Sequence, residues 1–498
     1  MLTTAVPAPS TRRSRLREEW LANPGVNLLS GLVVALALIP EAVSFSIIAG
    51  VDPKVGLYAS FSIAVIIALA GGRRGMISAA TGAMALVLVP LVKEHGVEYL
   101  FAATILAGII QVALGALGVG RLMRFVPRTV MTGFVNALAI LIFLAQVPHI
   151  TGGPTALALL AIGLGIIYLM PRITKAVPGP LVAIVVVAGA AAWFGFDVPT
   201  VGDMGDLPNT LPNLGIPAVA FSLKTLTIVA PFAVTLAFVG ILESLLTAQL
   251  LDDITDTGSD KDRESRGQGI ANIATGFLGG MAGCAMIGQS MINVKSGGRT
   301  RLSTLSSGVF LLAMILIAGD VVAAIPMAAL VAVMIVVAAS TFDWSSVKPS
   351  VLRRNPRSDT AVMALTVAIV VLTHNLAYGV IAGVMLSAVF FARRVAHVVE
   401  VTDVLDPDGD IRIYAVTGEL FFASTNELVH AFDYTDTEAT SVVIDLVDAH
   451  VWDSSAVATL DAVVAKFAVR GITAEIVGLN EHSSLLHTRL TGHLASSH

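Results

Sequence analysis

The sequence predicts a polytopic α-helical membrane protein, with fourteen transmembrane segments arranged as two inverted repeats of seven and a small cytoplasmic α/β domain behind them. Three observations predict it. Of 498 residues, 55% are hydrophobic and only 13% charged, with a mean hydropathy of +0.84, which is too apolar for a soluble globule. Basic residues collect in alternate loops. Two acids, Glu41 and Glu243, end closely similar apolar runs, LVVALALIPE at 32–41 and VTLAFVGILE at 234–243, in the two halves of the chain.

Residues 1–25 carry Arg12, Arg13, Arg15 and Arg17 ahead of a span of full length, as expected of a cytoplasmic tail rather than a cleaved signal peptide. The first repeat, 26–196, offers crossings near 26–49, 55–71, 99–118, 126–147, 153–170 and 179–196, with a short candidate at 75–90. An outer loop at 197–224, rich in Pro, Asp and Asn, leads to the second repeat, 225–395. Its crossings lie near 225–250, 267–282, 303–319, 321–340, 359–374 and 377–395, with a short candidate at 283–298. Counting both short candidates sorts the charges. Inner loops then receive Arg73, Arg74, Arg121, Arg124, Arg128, Arg172, Lys175, Lys295, Arg299, Arg301, Lys348, Arg353, Arg354, Arg357, Arg393 and Arg394, and outer loops only Lys54, Lys93 and Lys224. An odd number of crossings per repeat inverts the second repeat relative to the first, a recurrent transporter design in which substrate binds near the midplane at interrupted helices.

The short crossings occupy the same place in each repeat and share a composition rich in Gly, Ala, Ser and Thr: GGRRGMISAATGAM at 71–84 and GGMAGCAMIGQSM at 279–291. A helix of about 16 residues reaches only about 24 Å, short of a hydrocarbon core of about 30 Å, so each is expected to be extended in its first half and helical in its second. The two helices then start at mid-membrane with their N-termini facing one another, near Thr81–Ala83 and Gln289–Met291, forming an anion site from free N–H groups and helix dipoles. The candidate substrate-binding residues are Thr81, Gly82, Ala83, Gln289, Ser290 and Met291, with Asn293 next. Lys295 and Arg299 are expected to face cytoplasmic water, Lys295 also raising the positive potential near the site. The plainer alternative is that these small-residue runs are ordinary helix-packing faces.

A carboxylate in the bilayer costs about 2.5–3.5 kcal/mol on insertion scales, so Glu41 and Glu243 are candidates for ion or proton coupling. Pro40 as a simple kink, and either acid as a structural anchor, are the plainer readings. Cys284 is the only cysteine, which excludes an intramolecular disulfide and a thiolate zinc cluster. No cofactor, metal or catalytic constellation is apparent, and an enzyme is not expected.

Past Arg394 the composition becomes that of a soluble domain, 400–498. Strands are expected at 411–416, 441–447 and 473–478 and helices at 424–433, 455–468 and 482–490, giving helices over a mixed sheet. His450, Asp453, Ser454 and Ser455 come closest to a catalytic group, but at a strand-to-helix turn Asp453 or Ser454 is more simply an N-cap.

Together these residues resemble a prokaryotic member of the sulfate permease (SulP) anion transporter family. The resemblance rests on Ile39-Pro40-Glu41; Phe125-Val126-Pro127-Arg128 with Gly133-Phe134-Val135-Asn136; Glu243-Ser244; Gln268-Gly269-Ile270-Ala271-Asn272; and Lys295-Ser296-Gly297-Gly298-Arg299-Thr300. The C-terminal segment resembles a STAS domain through Gly418-Glu419-Leu420-Phe421-Phe422 and Asp453-Ser454-Ser455. The resemblance implies a core domain, the first four crossings of each repeat, moving against a gate domain, the last three, with the anion held between the third and tenth crossings. It also implies a homodimer in the cell membrane and marks Ser454 as a possible regulatory phosphosite. The chain departs from some animal relatives in having no basic residue at the start of the tenth crossing.

The leading expectation is proton-coupled symport of a small anion by alternating access, with a dicarboxylate such as fumarate favoured because two opposed N-termini suit a two-ended anion. Desolvation of Glu243, together with Glu41, favours the neutral form that such coupling needs. The alternatives are a sulfate or bicarbonate carrier driven by sodium or by exchange, an anion-binding sensor that signals through the STAS domain, and an anion channel. Membrane lipid is an expected partner and nucleic acid is not.

Overall fold

The computed structural model describes residues 12–121, 126–151, 153–173, 179–396, 399–405, 411–434 and 440–491. Arg124, Phe125 and Lys175, used above, lie outside them. The chain forms two compact units, Met1–Val384 and Met385–His498.

A first helix, α1 (Arg12–Leu21), precedes the first repeat: α2 (Pro24–Ala49), α3 (Pro53–Ala70), β1 (Ser78–Ala80), α4 (Gly82–His95), α5 (Val97–Ala116), α6 (Arg128–Gln146), α7 (Gly153–Ile173) and α8 (Gly179–Phe194). The second repeat follows in the same order: α9 (Leu223–Thr255), α10 (Lys261–Phe277), β2 (Gly283–Ala285), α11 (Ile287–Lys295), α12 (Arg301–Ala323), α13 (Met327–Thr341), α15 (Arg357–Thr373) and α16 (Leu376–Ala396), with a short added helix, α14 (Pro349–Arg354). Among the described residues eight helices are long and apolar enough to cross a bilayer, and α8 and α13 are shorter apolar helices.

The helices pack in two groups. Helices α2, α3, α5, α9, α10 and α12 pack on one another around the strand pair, while α6, α7, α8, α13 and α15 form a second group, which α16 joins where Gly379 and Gly383 approach Thr366. These are the first four and last three segments of each repeat. Helices α5 and α10 approach closely: a methyl group on Gly108 would fall 2.6 Å from the carbonyl oxygen of Gly269. Glycine at both positions lets the backbones touch.

At the centre β1 and β2 pair antiparallel, Ser78 opposite Ala285, Ala79 opposite Cys284 and Ala80 opposite Gly283. An extended segment away from water needs a partner for every N–H and C=O, and side chains supply what the two strands cannot. Asn272 Nδ2 donates to Gly283 O (3.1 Å) while its Oδ1 accepts from Gly283 N (3.0 Å), and Gln268 Nε2 donates to the same carbonyl (3.0 Å). Ser244 Oγ accepts from Ala285 N, Thr304 Oγ1 donates to Met76 O, and Asn293 Nδ2 donates to Gly75 O. Two of the arginines counted in the inner loops are buried struts: Arg73 donates to Leu251 O and Thr255 Oγ1, and Arg301 to Ala68 O and Gly71 O.

The second unit contains a mixed sheet, β3 (Glu400–Leu405), β4 (Ile411–Leu420), β5 (Ser441–Asp445) and β7 (Thr473–Val477) in the order β3-β4-β5-β7, with β6 (Ala449–Val451) pairing beside β4. Only β3–β4 is antiparallel. Helices α17 (Thr425–His430), α18 (Ser454–Ala468) and α19 (Glu481–Leu490) accompany it, around a core that includes Tyr414, Leu420, Ile444, Leu460 and Phe467. Strands β3 and β6 add to the three expected, β3 lying before the first of them and β6 being only three residues long.

Two outcomes test this architecture. A Cβ on Gly283 would fall 2.1 Å from Ala79 O, so Gly283→Ala is expected to abolish a monodisperse peak in size-exclusion chromatography of the detergent-extracted protein. In the soluble unit Asp453 caps α18, accepting from Ala456 N (2.9 Å) and from Phe422 N (2.8 Å). Asp453→Ala is expected to cost about 1–2 kcal/mol by denaturant titration, against less than about 0.5 kcal/mol for Ala at the exposed Ser454.

Candidate functional site

The antiparallel strand pair sets the site. Helix α4 leaves β1 one residue beyond its end and α11 leaves β2 likewise, in opposite directions, so both N-termini face back across the pair. Three extended residues separate them by on the order of 10 Å. The first helix starts at Gly82 behind the N-cap Thr81, whose Oγ1 accepts from Met84 N. The second starts at Ile287, two residues before the expected point, behind Met286.

A cavity of about 240 Å³ opens beside this junction. Its core-side wall comprises Glu41 and Phe45 of α2, Thr81 and Gly82, Glu243 of α9, and Met286, Ile287, Gly288, Gln289 and Ile292. Its gate-side wall is apolar apart from two hydroxyls: Leu138 and Ile142 of α6, Pro180 of α8, and Val333, Val336, Val337, Ser340 and Thr341 of α13. No Lys or Arg lines it among the described residues. Gly288 is exposed, with nothing within 4 Å of where a Cβ would lie, so the start of α11 is bare toward open space.

Glu41 and Glu243 face this one cavity, each 9% exposed and neither in an ion pair among the described residues. Pro40 supplies no N–H to the helix ladder just before Glu41, and Gln289 Nε2 donates to Glu41 Oε1 at 2.9 Å. The Cys284 thiol donates to Glu243 Oε2 at 2.8 Å and lies 3.2 Å from Thr81 Oγ1. Ser244, the next residue on α9, holds β2, so the helix that carries the acid is pinned to the strand that approaches it.

Of the residues singled out from sequence, Thr81, Gly82, Gln289, Glu41 and Glu243 line the cavity. Ala83 and Met291 do not line it, and Ser290 is taken up elsewhere: its Oγ accepts from Ile77 N (3.0 Å) and donates to Ile77 O. Asn293 is likewise structural, tied to Gly75, Ser30 and Ser303. Lys295 is exposed at the end of α11, outside the cavity lining. Ser454 lies in the other unit, exposed at the first position of α18.

Two contributors escaped sequence reading. Cys284 served there only to exclude a disulfide. The α13 wall, 333, 336, 337, 340 and 341, follows the i, i+3, i+4, i+7, i+8 spacing of one helix face, a signal hidden inside a run that is apolar all round.

The profile of the Sulfate permease family matches residues 26–161 and 153–366, and that of the STAS domain matches 404–491. The chain belongs to the sulfate permease family. It is 57% identical over 472 residues, 95% of this chain and 98% of the other, to a Bacillus subtilis protein named "Putative sulfate transporter YbaR". It is 29% identical over 426 residues to the bicarbonate transporter BicA of Picosynechococcus, covering 78% of this chain and 74% of that one. The solved transmembrane domain of a cyanobacterial BicA superposes with a TM-score of 0.65 at 27% identity, over 72% of this chain and 97% of that one. Murine Slc26a9, captured inward-facing, shares the fold at 16% identity with a TM-score of 0.81, over 95% and 88% of the two chains. This is a multi-pass membrane anion transporter with a C-terminal STAS domain, which is cytoplasmic in the family.

The Gln289–Glu41 contact makes a separable prediction. Gln289→Leu keeps most of the side chain's bulk but removes the donor to Glu41 and an amide at the start of α11. It is expected to weaken apparent anion affinity about tenfold or more, measured as the KM of uptake, with unchanged elution in size-exclusion chromatography.

Proposed function

We propose that the chain is a proton-coupled symporter of a small, doubly charged anion, held between the start of α4 at Thr81–Gly82 and the start of α11 at Ile287–Gln289. The observation that carries this reading is the pairing of Glu41 and Glu243 on one cavity that, among the described residues, no basic side chain lines. Two ionised carboxylates and a dianion in a space of about 240 Å³ repel one another strongly in a low-dielectric setting. Two protons delivered to those carboxyls remove that repulsion and leave the anion to the N–H groups and dipoles of the two helix ends. The loaded cavity then carries only the dianion's charge against two positive helix ends. It can cross from one access state to the other past the apolar α13 and α6 wall at low cost.

The name of the 57%-identical relative supports sulfate as the first substrate to test; a short dicarboxylate such as fumarate has the same charge and meets the same two helix ends. A second reading, bicarbonate carried with sodium or by exchange, draws support from the likeness to BicA. In the first reading Glu41 and Glu243 move protons, and Thr81, Gly82 and Gln289 contact the anion. Dimerisation in the membrane and regulation through the STAS domain belong to the same proposal.

Flux into proteoliposomes decides among these. Labelled sulfate, bicarbonate and fumarate are offered in turn, with pH and sodium gradients imposed separately. An inwardly directed proton gradient is expected to drive accumulation of a dianion, and a sodium gradient without a pH gradient is not. Glu243→Gln and Glu41→Gln, each fixed in a neutral form, are expected to abolish the dependence on the pH gradient. Unchanged proton coupling in both variants would overturn the assignment, as would accumulation driven by sodium alone.

A further inference from the structure

A second concave site lies away from the transport cavity, at the basic face of the membrane unit. Its volume is about 330 Å³, and it is walled by two loops from opposite repeats, the C-terminal end of α9 and the end of α1. Arg73 and Arg74 come from the loop that enters β1, Arg299 and Thr300 from the loop that joins α11 to α12. By the distribution of basic loops this face is cytoplasmic.

Three features distinguish the pocket from a merely basic surface. First, Arg73 is fixed rather than free: it is 8% exposed, hydrogen-bonded to Leu251 O and Thr255 Oγ1, and paired with Asp252 at 3.0 Å. Second, Arg74 and Arg299 lie close enough for their charges to act on Arg73, yet neither has a carboxylate within ion-pair distance among the described residues. Asp252 balances Arg73, which leaves the Arg74 and Arg299 guanidinium groups in the hollow with two exposed acids at its edge, Glu18 and Asp256. Third, Thr300 occupies the N-cap position of the 23-residue helix α12 but does not cap it. Its Oγ1 is buried without a hydrogen-bond partner in a residue only 3% exposed. A buried hydroxyl left unpaired costs about 1–3 kcal/mol. The Arg299 and Thr300 amides are occupied by Asn27 Oδ1, which holds the loop in this shape.

A tetrahedral oxyanion resolves all three. It accepts from guanidinium groups in paired geometry, sits at the positive end of α12, and gives the Thr300 hydroxyl an acceptor. We propose that this pocket is a cytoplasmic phosphate-type anion site, separate from the transport cavity, in which Arg74, Arg299 and Thr300 bind the oxyanion and Arg73 forms the fixed wall. The ligand chemistry is that of a phosphate oxyanion, from inorganic phosphate or from the headgroup of an anionic phospholipid. Because its walls are the loop entering β1 and the loop leaving α11, an occupant bridges the outer ends of both interrupted segments.

The test uses the full chain in nanodiscs and reads the thermal unfolding midpoint. In phosphatidylcholine discs inorganic phosphate is titrated; in a second arm phosphatidylglycerol replaces part of the lipid, without added phosphate. Stabilisation in the first arm identifies free phosphate as the source, and stabilisation confined to the second identifies the lipid headgroup. In whichever arm responds, Arg299→Gln and Thr300→Val are each expected to shift the titration midpoint about tenfold or more, Thr300→Ser to restore it, and Gln289→Leu in the transport cavity to leave it unchanged. Each variant's midpoint without ligand reports whether it has folded. No stabilisation in either arm overturns the proposal. So does a response that survives both Arg299→Gln and Thr300→Val, or one lost in Gln289→Leu instead, which places the anion in the transport cavity. Proton coupling of transport is not read in this experiment, so the two proposals fail separately.

Discussion

Everything at the centre of this protein depends on satisfying the backbone of two three-residue strands away from water. Neither β1 nor β2 is long enough to be stable by itself, and a two-stranded pair leaves half of its polar groups unpaired. The surrounding helices supply amides and hydroxyls: Asn272 and Gln268 on α10 and Ser244 on α9 hold β2, while Asn293 on α11 and Thr304 on α12 hold Gly75 and Met76, the segment leading into β1. This explains why a chain so rich in aliphatic residues buries so many Asn, Gln, Ser and Thr in one layer. It also explains why the two helix starts are fixed features, since they can shift only if those bonds break.

That constraint creates the electrostatics. Forcing both helices to begin beside the strand pair delivers two positive dipole ends to one place without a basic side chain. The same geometry brings an acid from the first helix of each repeat to the cavity, each with a neutral donor, Gln289 for Glu41 and Cys284 for Glu243. A neutral donor supports a carboxyl group without locking it into an ion pair, so the group remains free to gain and lose a proton. Arginine beside either acid would form such a pair, costly to break once buried. The wall contributed by α13 and α6 is mostly aliphatic, a surface along which a core can slide with few hydrogen bonds to break.

Family membership and local geometry answer different questions. The matches to the sulfate permease family and the STAS domain establish a membrane anion transporter with a soluble tail. The relatives carry different names, one for sulfate and one for bicarbonate. The polar groups at the cavity of this chain are few: Glu243 with Cys284 behind it, Glu41 with Gln289 at the start of α11, and Ser340 and Thr341 as the hydroxyls of the opposite wall.

The number and order of the segments, the inversion of the repeats, the extended-then-helical form of both short crossings and the pairing of Glu41 with Glu243 are all readable from the chain. Each follows from a one-dimensional quantity: run length against bilayer thickness, charge against loop parity, and matched position in two halves. Three-dimensional packing decided which side of each helix meets the cavity. Ser290 and Gln289 are neighbours of similar polarity, yet one hydroxyl is spent on Ile77 while the other residue's amide reaches Glu41. Sequence ranks both alike because a helix start lacks the several turns needed to show periodicity. The bond from Cys284 to Glu243, 41 residues apart, and the convergence of Arg74 with Arg299 from opposite repeats were equally beyond reach. Local sequence determines what a segment can be; which atoms meet is settled only when distant segments compete for the same buried donors and acceptors.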